Sequence, residues 1–282
     1  MTAAPFPARL PNPERARWGR RAVRGAALTY LVVLLVIPLA VIFQDGLRDG
    51  LGGLWRAVSG TVAWHALWLT LWTAAIMAAI NAVMGTVTAY VLVRYTFPGK
   101  GLLNAVVDLP LSIPTLVTGV MLVVLYGPQA ALGSWLQQNL GWRIIFAPPG
   151  IILALLFVTY PFVVRAVQPV LAELDREAEE AAASLGASRL TVFRRIILPA
   201  LAPAIAAGAA LSFARAVSEY GSLVLLSGNL PNRTEVTSVR ILASIEGDRL
   251  DNASAVAVVL LVISLLVIVA VDVLQRRVVR RG

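Results

Sequence analysis

The 282-residue sequence has no cysteine, one histidine and few charged residues. Without cysteine it forms no disulfide, no iron–sulfur cluster and no thiol nucleophile, and the redox compartment cannot be inferred. The lone His65 excludes a His-Glu-x-x-His zinc site, and no G-x-x-x-x-G-K-[ST] loop is present to hold nucleotide phosphates. We therefore expect a chain that is not an enzyme and that itself binds no ATP, metal or other cofactor.

Charged residues make up only 14% of the chain, whereas 59% of its residues are hydrophobic. A soluble domain has about a quarter charged residues. The apolar residues fall in long blocks separated by short polar stretches, which is typical of a helical membrane protein. We predict an all-α polytopic protein with about six transmembrane helices, at 26–43, 62–93, 102–126, 149–171, 201–227 and 253–275. The second block is long enough that we expect it to tilt or to project beyond the bilayer.

The distribution of arginine and lysine predicts the orientation of these spans. With both termini in the cytoplasm, sixteen cations lie inside and six outside, while Arg165 and Arg215 lie within spans. The net charge of +9 comes from basic clusters beside apolar spans, without aromatic residues for stacking bases, so we expect contact with the lipid bilayer and no nucleic acid. The outer loops contain Trp55, Trp135 and Trp142, and we expect them to rest on the membrane or to form short lids.

The cytoplasmic loop 172–200 has the sequence features of a helix–turn–helix. Its first half is rich in Ala, Glu and Leu, and acidic residues crowd the first turns, where the helix dipole favours them. We expect Gly186 to end this helix in a left-handed conformation. We expect Ser188 to cap a second short helix that runs through Ile197 and is stopped by Pro199. An ordinary juxtamembrane helix pair has the same features, so these patterns leave the role of the loop open.

One spacing in this loop resembles a known family. Glu180-Ala181-Ala182, then Gly186, then Ile196-x-Leu198-Pro199 match the defining positions of the EAA loop of ABC-importer permeases. In that family the loop contains the coupling helix, which docks on the ATPase subunit. The resemblance implies the type I ABC importer permease fold. It also implies an ATPase-coupling role for seven residues: Glu180, Ala181, Ala182, Gly186, Ile196, Leu198 and Pro199.

Span five contains ionisable side chains, which are costly at membrane depth. Arg215 and Glu219 are four residues apart and can pair on one helix face, and Ser212 lies on nearly the same face. Two interpretations stay open. The hydroxyl and guanidinium groups can offer donors to a passing oxyanion, or the pair can hold span five against its neighbours.

Span three is interrupted by Pro110 and Pro114, which break the helical hydrogen-bond ladder. Membranes tolerate free backbone carbonyls only where protein or a water-filled cavity satisfies them. Ser112, Thr115 and Thr118 occur at helical spacing around this break. They either line such a cavity or satisfy the carbonyls of a simple kink.

Both stretches resemble one branch of the importer family. The segment Asp108-Leu-Pro-x-x-Ile-Pro-Thr and the segment Phe213-Ala-Arg-Ala-x-Ser-Glu-Tyr-Gly-Ser are similar to the sulfate/thiosulfate and molybdate permeases. The stretch 227–238 is most similar to the T-type sulfate/thiosulfate subunit, although Ser218 replaces the usual glycine. The resemblance implies import of sulfate and thiosulfate, with molybdate or tungstate as the alternative. The candidate translocation-pathway residues are Ser112, Thr115, Thr118, Ser212, Arg215, Ser218 and Glu219.

The resemblance also implies partners and a location. The chain would pair with a second homologous permease, with ABC ATPase subunits that bind ATP and Mg²⁺, and with an extracytoplasmic sulfate-binding protein. We expect a cytoplasmic basic N-terminus at 1–25, a permease domain at 26–275 and a basic tail at 276–282, in a bacterial inner membrane. A secondary transporter or a channel is the competing class, and it leaves the EAA loop without a function.

Overall fold

The structure, a computed structural model, describes the backbone of residues 13–279 and the side chains of residues 22–273. Residues 1–12 and 280–282, which belong to the predicted basic termini, lie outside the described residues. The described part is all-α. Its first helices, α1 (Pro13–Leu31) and α2 (Ile37–Gly46), join through a π-helical turn, Val32–Val36, and form the first candidate span, Ala22–Gly46.

Two short helices, two long helices and a bent pair follow. These are α3 (Gly50–Ser59), α4 (Thr61–Arg94), the pair α5 (Lys100–Ser112) and α6 (Thr115–Tyr126), then α7 (Ala131–Leu140) and α8 (Pro148–Glu173). The 34-residue α4 is about 51 Å long, which exceeds the about 30 Å of a hydrocarbon core and agrees with the predicted long second span. Helices α3 and α7 lie in the first two predicted outer loops.

The third predicted span, 102–126, is not one continuous helix. The chain bends by 110° between the two halves of this span, α5 and α6. Ile113 and Pro114 are extended, because Pro114 disfavours a helical conformation at the preceding residue and has no N–H to continue the ladder. The predicted break is confirmed at Pro114, where it is a sharp bend rather than a small kink, but it is wrong for Pro110, which lies inside α5.

The second half of the chain begins with α9 (Arg176–Ser184) and α10 (Arg189–Val192). A π-helical turn, Phe193–Ile197, leads into α11 (Leu198–Val217), followed by α12 (Gly221–Leu226), α13 (Thr237–Glu246) and α14 (Leu250–Val279). The predicted fifth span, 201–227, is therefore wrong at both ends. The candidate span is Arg189–Val217, and the chain leaves the helix before α12 begins.

The prediction that Pro199 stops a short helix is also wrong. In the π-helical turn before it, the Leu198 N–H reaches the Phe193 carbonyl, five residues back. This wider turn accommodates a proline that lacks an N–H and crowds the preceding turn, so the helix continues into α11. The same arrangement precedes Pro38, where the Ile37 N–H reaches the Val32 carbonyl.

The core is built on α8, which packs between α4 and α11. Val163 of α8 faces glycines on both neighbours, and a β-carbon on Gly85 or on Gly208 would lie 2.8 Å from a Val163 carbon. Small residues at such crossings let transmembrane helices approach closely. Asn81 of α4 adds a hydrogen bond, donating from Nδ2 to the Thr159 hydroxyl at 2.9 Å.

Candidate functional site

The loop 172–200 forms the predicted helix–turn–helix, held by local caps. Asp175 Oδ1 accepts from the Glu177 N–H at 2.9 Å and begins α9. Gly186 has φ +84°, and the N–H groups of Gly186 and of the next residue bond to carbonyls of the last turn of α9, which is a Schellman motif. Ser188 Oγ accepts from the Thr191 N–H at 3.3 Å and caps α10. The caps at Gly186 and Ser188 were predicted, whereas Asp175 was predicted only as one of the acidic residues of the first turns.

Helix α9 projects from the molecule. Glu180, Ala181 and Gly186 are exposed, and Leu185 at the tip is 89% exposed. The other predicted coupling residues have different environments. Ala182 and Ile196 are partly buried against the apolar cluster at the end of the helices beside this loop, whereas Leu198 and Pro199 are exposed where α11 begins.

Two contacts join this loop to the end of α4, and sequence reasoning missed both. Arg94 Nη2 donates to Glu179 Oε1 in a salt bridge between largely buried side chains. The ring of Tyr90 packs edge-on against Phe193, with centroids 5.8 Å apart. The only sequence signal was an arginine at the end of an apolar segment, which was attributed to orientation alone.

The bend of span three and the break after α11 lie against each other. A β-carbon on Gly119 would lie 2.8 Å from the Ser222 carbonyl oxygen, and one on Gly221 would lie 2.2 Å from Thr115 Oγ1. The two helices can approach this closely only because both glycines lack a side chain. The two stretches selected from the sequence as separate candidates therefore form one junction between α6 and α12, which we call the α6–α12 junction.

A buried carboxylate organises this junction. Arg215 Nη1 donates to Glu219 Oε2 at 2.7 Å, so the predicted pairing is confirmed. The other oxygen, Oε1, accepts from the backbone N–H and the hydroxyl of Ser222, both at 3.0 Å. Glu219 is 1% exposed, while Arg215 is 34% exposed and keeps part of its guanidinium accessible. The Ser238 hydroxyl donates to the Glu219 carbonyl at 2.6 Å and ties in the segment that begins α13.

The other predicted pathway residues have varied surroundings. Ser212 is fully buried and its hydroxyl donates to the Thr159 carbonyl of α8 at 3.3 Å, so it forms no open stripe with Arg215. Ser218 is exposed and donates back to the Arg215 carbonyl at 3.0 Å. Ser112 is exposed at the end of α5, and Thr118 is buried with no hydrogen-bond partner for its hydroxyl among the described residues.

A second polar network joins α5 to α8. Arg165 Nε donates to Asp108 Oδ1 at 2.7 Å, and Nη1 donates to Asn104 Oδ1 at 2.9 Å and also to Gln168 Oε1. The guanidinium is saturated by its neighbours, although both members of the ion pair are partly exposed. The sequence signal was a lone arginine within span four.

A cavity of about 700 Å³ lies between α4, α5, α6 and α8. Its lining is mostly aliphatic and aromatic, with few polar side chains such as Asn81 and Thr88. A dianion would find too few hydrogen-bond donors in it. Among the residues that the structure describes, no group of three or more His, Cys, Asp or Glu side chains is arranged to hold a metal ion.

The segment between α12 and α13 also contains a buried acid. Glu235 is buried, and its Oε2 has no partner among the described residues. Burial raises the pKa of this carboxyl, and the positive charge of Arg240 opposes part of that rise. Nearby, the Thr237 N–H and hydroxyl both lie within 3.0 Å of Thr70 Oγ1 and hold the segment against α4.

Comparison with known proteins gives consistent matches. Residues 81–281 match the family described as the binding-protein-dependent transport system inner membrane component. The chain is 42% identical over 248 residues to the probable sulfate transport system permease protein cysT of Nephroselmis olivacea, covering 88% of this chain and 87% of that protein. It is 39% identical over 257 residues to the sulfate transport system permease protein CysT of Salmonella typhimurium, covering 91% and 92%.

Solved structures share the fold at lower sequence identity. A chain of a bacterial alginate ABC transporter, solved in complex with an alginate pentasaccharide-bound periplasmic protein, aligns with a TM-score of 0.78 at 18% identity. The alignment covers 94% of this chain and 96% of that one. A chain of the MetNI methionine ABC transporter aligns with a TM-score of 0.58 at 21% identity, over 78% and 99%.

Proposed function

The chain belongs to the family of binding-protein-dependent transport system inner membrane components, and we propose that it is the permease subunit of an ABC importer that moves sulfate into the cytoplasm. Its fold is that of type I ABC importer permeases. The observation that carries the sulfate proposal is the identity of about 40%, over about nine-tenths of the chain, to permeases named for sulfate transport. The molybdate and tungstate alternative is not favoured by these relatives.

The projecting loop supports coupling to a separate ATPase. Helix α9 presents Glu180 and Ala181 to solvent, and Leu185 at its tip is almost fully exposed. An exposed apolar tip on a slim alanine-rich helix is suited to a cleft on a partner protein. We assign ATP and Mg²⁺ to that partner, and energy coupling to α9 and the turn at Gly186.

The α6–α12 junction supports the passage of an anion. Arg215 is positively charged, partly exposed and neutralised by a buried carboxylate, so it can attract sulfate without holding it with an unopposed charge. Thr115 and Thr118 lie at the same junction. Broken helices that meet in this way commonly mark substrate sites in transport proteins. A second permease would supply the other half of the pathway.

The placement of charge supports a topology with both termini in the cytoplasm. Arg94 contacts the α9 loop, and Lys100 follows six residues after the end of α4. The opposite ends of the spans carry α3, α7 and α13. We propose that these helices receive an extracytoplasmic sulfate-binding protein and that the chain lies in the bacterial inner membrane.

Uptake of radiolabelled sulfate tests the function. Cells that lack their own sulfate importers would express this chain with its partner subunits and binding protein, and a matched strain would lack only this chain. We expect ATP-dependent uptake only with the chain present, blocked by excess thiosulfate and barely by excess molybdate. Molybdate accumulation without chain-dependent sulfate uptake would refute the sulfate assignment and keep the importer assignment.

A further inference from the structure

We infer that Arg94 and Glu179 form a strut through which the coupling loop moves span two, α4, in addition to the covalent connection through α10 into α11. Both are positioning residues, since neither lies at the α6–α12 junction. The inference rests on the proposed docking of α9 on an ATPase subunit. In this inference Glu179, which directly precedes the EAA positions, acts by binding Arg94 of its own chain and not by contacting the ATPase.

The ion pair is built into the base of the loop. Its members are 85 residues apart in the sequence, and their side chains are only 9% and 19% exposed although most of α9 is exposed. The Nε of Arg94 is buried and has no hydrogen-bond partner among the described residues. Glu179 is therefore the carboxylate that compensates this guanidinium, and its removal leaves a buried charge uncompensated.

A second contact makes the attachment resistant to rotation. Tyr90, one helical turn before Arg94, packs edge-on against Phe193 in the π-helical turn that follows α10. The last turn of α4 thus holds both arms of the loop, α9 through an ion pair and the π-helical turn after α10 through aromatic rings. A displacement of α9 has to move α4 or separate these contacts.

Helix α4 extends from this loop to the outer side of the protein. In the third turn of α4, towards its other end, Thr70 Oγ1 contacts the backbone N–H and hydroxyl of Thr237. The next residue, Ser238, donates to the Glu219 carbonyl. One rigid helix of 34 residues therefore joins the base of the coupling loop to the segment that holds the α6–α12 junction.

The test uses the complete importer reconstituted in proteoliposomes with its binding protein. Sulfate uptake, stimulation of ATP hydrolysis by the binding protein, and the amount of ATPase subunit that co-purifies are measured for Glu179→Gln and Arg94→Met. We expect each variant to lower sulfate transported per ATP at least fivefold, with co-purification unchanged. Arg24→Met, which removes an exposed cation of α1 outside the coupling loop, is the matched control and should behave as wild type.

Charge exchange separates a strut from a contact with the ATPase. The double variant Arg94→Glu/Glu179→Arg should recover at least half of the transport per ATP, and Arg94→Lys should stay well above Arg94→Met because it keeps the charge. Uncoupling by Glu179→Gln without any effect of Arg94→Met would overturn the strut, since Glu179 would then act directly on the ATPase. Loss of co-purified ATPase in parallel with transport would overturn it as well.

The failure of the strut is distinguishable from the failure of the proposed function. If the wild-type complex imports no sulfate, the substrate assignment fails. The stimulation of ATP hydrolysis by the binding protein still reports on the strut in that case. Stimulation that is equal in wild type, Glu179→Gln and Arg94→Met would refute the strut whatever the substrate.

Discussion

The α6–α12 junction predicts that Gly119→Ala impairs both stability and transport. The added β-carbon would lie 2.8 Å from the Ser222 carbonyl oxygen and 3.1 Å from its Cα. Both are backbone atoms, so no side-chain rotation relieves the contact. Carbon atoms settle at about 3.5–4.0 Å, so the two helices must separate by about 0.5–1 Å.

The magnitude follows from two opposing effects. Overpacking of this kind costs about 1–3 kcal/mol. Replacing glycine by alanine inside a helix returns about 1 kcal/mol through helix propensity. We expect a net destabilisation of up to about 2 kcal/mol, because the steric cost exceeds the propensity gain. Uptake should fall severalfold, because the displaced helices carry Thr115 and Ser222, the latter bonded to Glu219.

Thermal unfolding of the purified complex and sulfate uptake provide the assay. The matched control is Gly101→Ala in the first turn of α5, where the added β-carbon meets nothing within 4 Å. The control should unfold at the wild-type temperature or above it and transport normally. If Gly119→Ala and Gly101→Ala behave alike in both measurements, the close approach of α6 and α12 does not control the junction.

Three further predictions concern single positions. Gly186→Asp should lower coupled uptake roughly five- to thirtyfold with normal membrane insertion, because a residue with a β-carbon costs about 1–2 kcal/mol in the left-handed conformation. Near-normal uptake in proteoliposomes would contradict this prediction. Asp108→Asn should lower the unfolding temperature, because Arg165 loses its carboxylate partner. Both groups are partly exposed, so the loss in free energy of unfolding should lie between the about 0–1 kcal/mol of exposed pairs and the about 3–5 kcal/mol of buried ones. The control is Asp251→Asn at an exposed helix start. Glu235→Gln should raise stability at pH 7 and flatten its pH dependence. Burial raises the pKa of the Glu235 carboxyl in the folded protein. Its contribution to the free energy of unfolding is therefore fully present below the pKa of the unfolded chain, and it is lost as the pH rises through the folded pKa. An unchanged pH profile of thermal unfolding would refute this last prediction.

Features that depend on neighbouring residues were predictable from the sequence. The apolar blocks predicted the candidate spans because a bilayer needs about 20 apolar residues per crossing, whatever the packing. The caps at Asp175, Gly186 and Ser188 were predictable because each bonds to backbone within a few residues. The pairing of Arg215 with Glu219 follows from the four-residue helical repeat.

Features that depend on contacts between distant helices were decided only by the tertiary structure. Pro199 continues a helix because a π-helical turn makes room for it, and no local rule distinguishes this from a helix stop. Ser212 bonds to α8 rather than facing the same side as Arg215, because the packing of α11 on α8 sets which side chain is buried. The Arg94–Glu179 pair joins residues 85 positions apart, and only the fold brings them together. Local sequence thus determined the apolar spans and the caps of the loop 172–200, since hydropathy and capping act over short stretches of the chain. Helix packing determined the junction and the strut, since contacts between helices depend on the relative placement of whole elements.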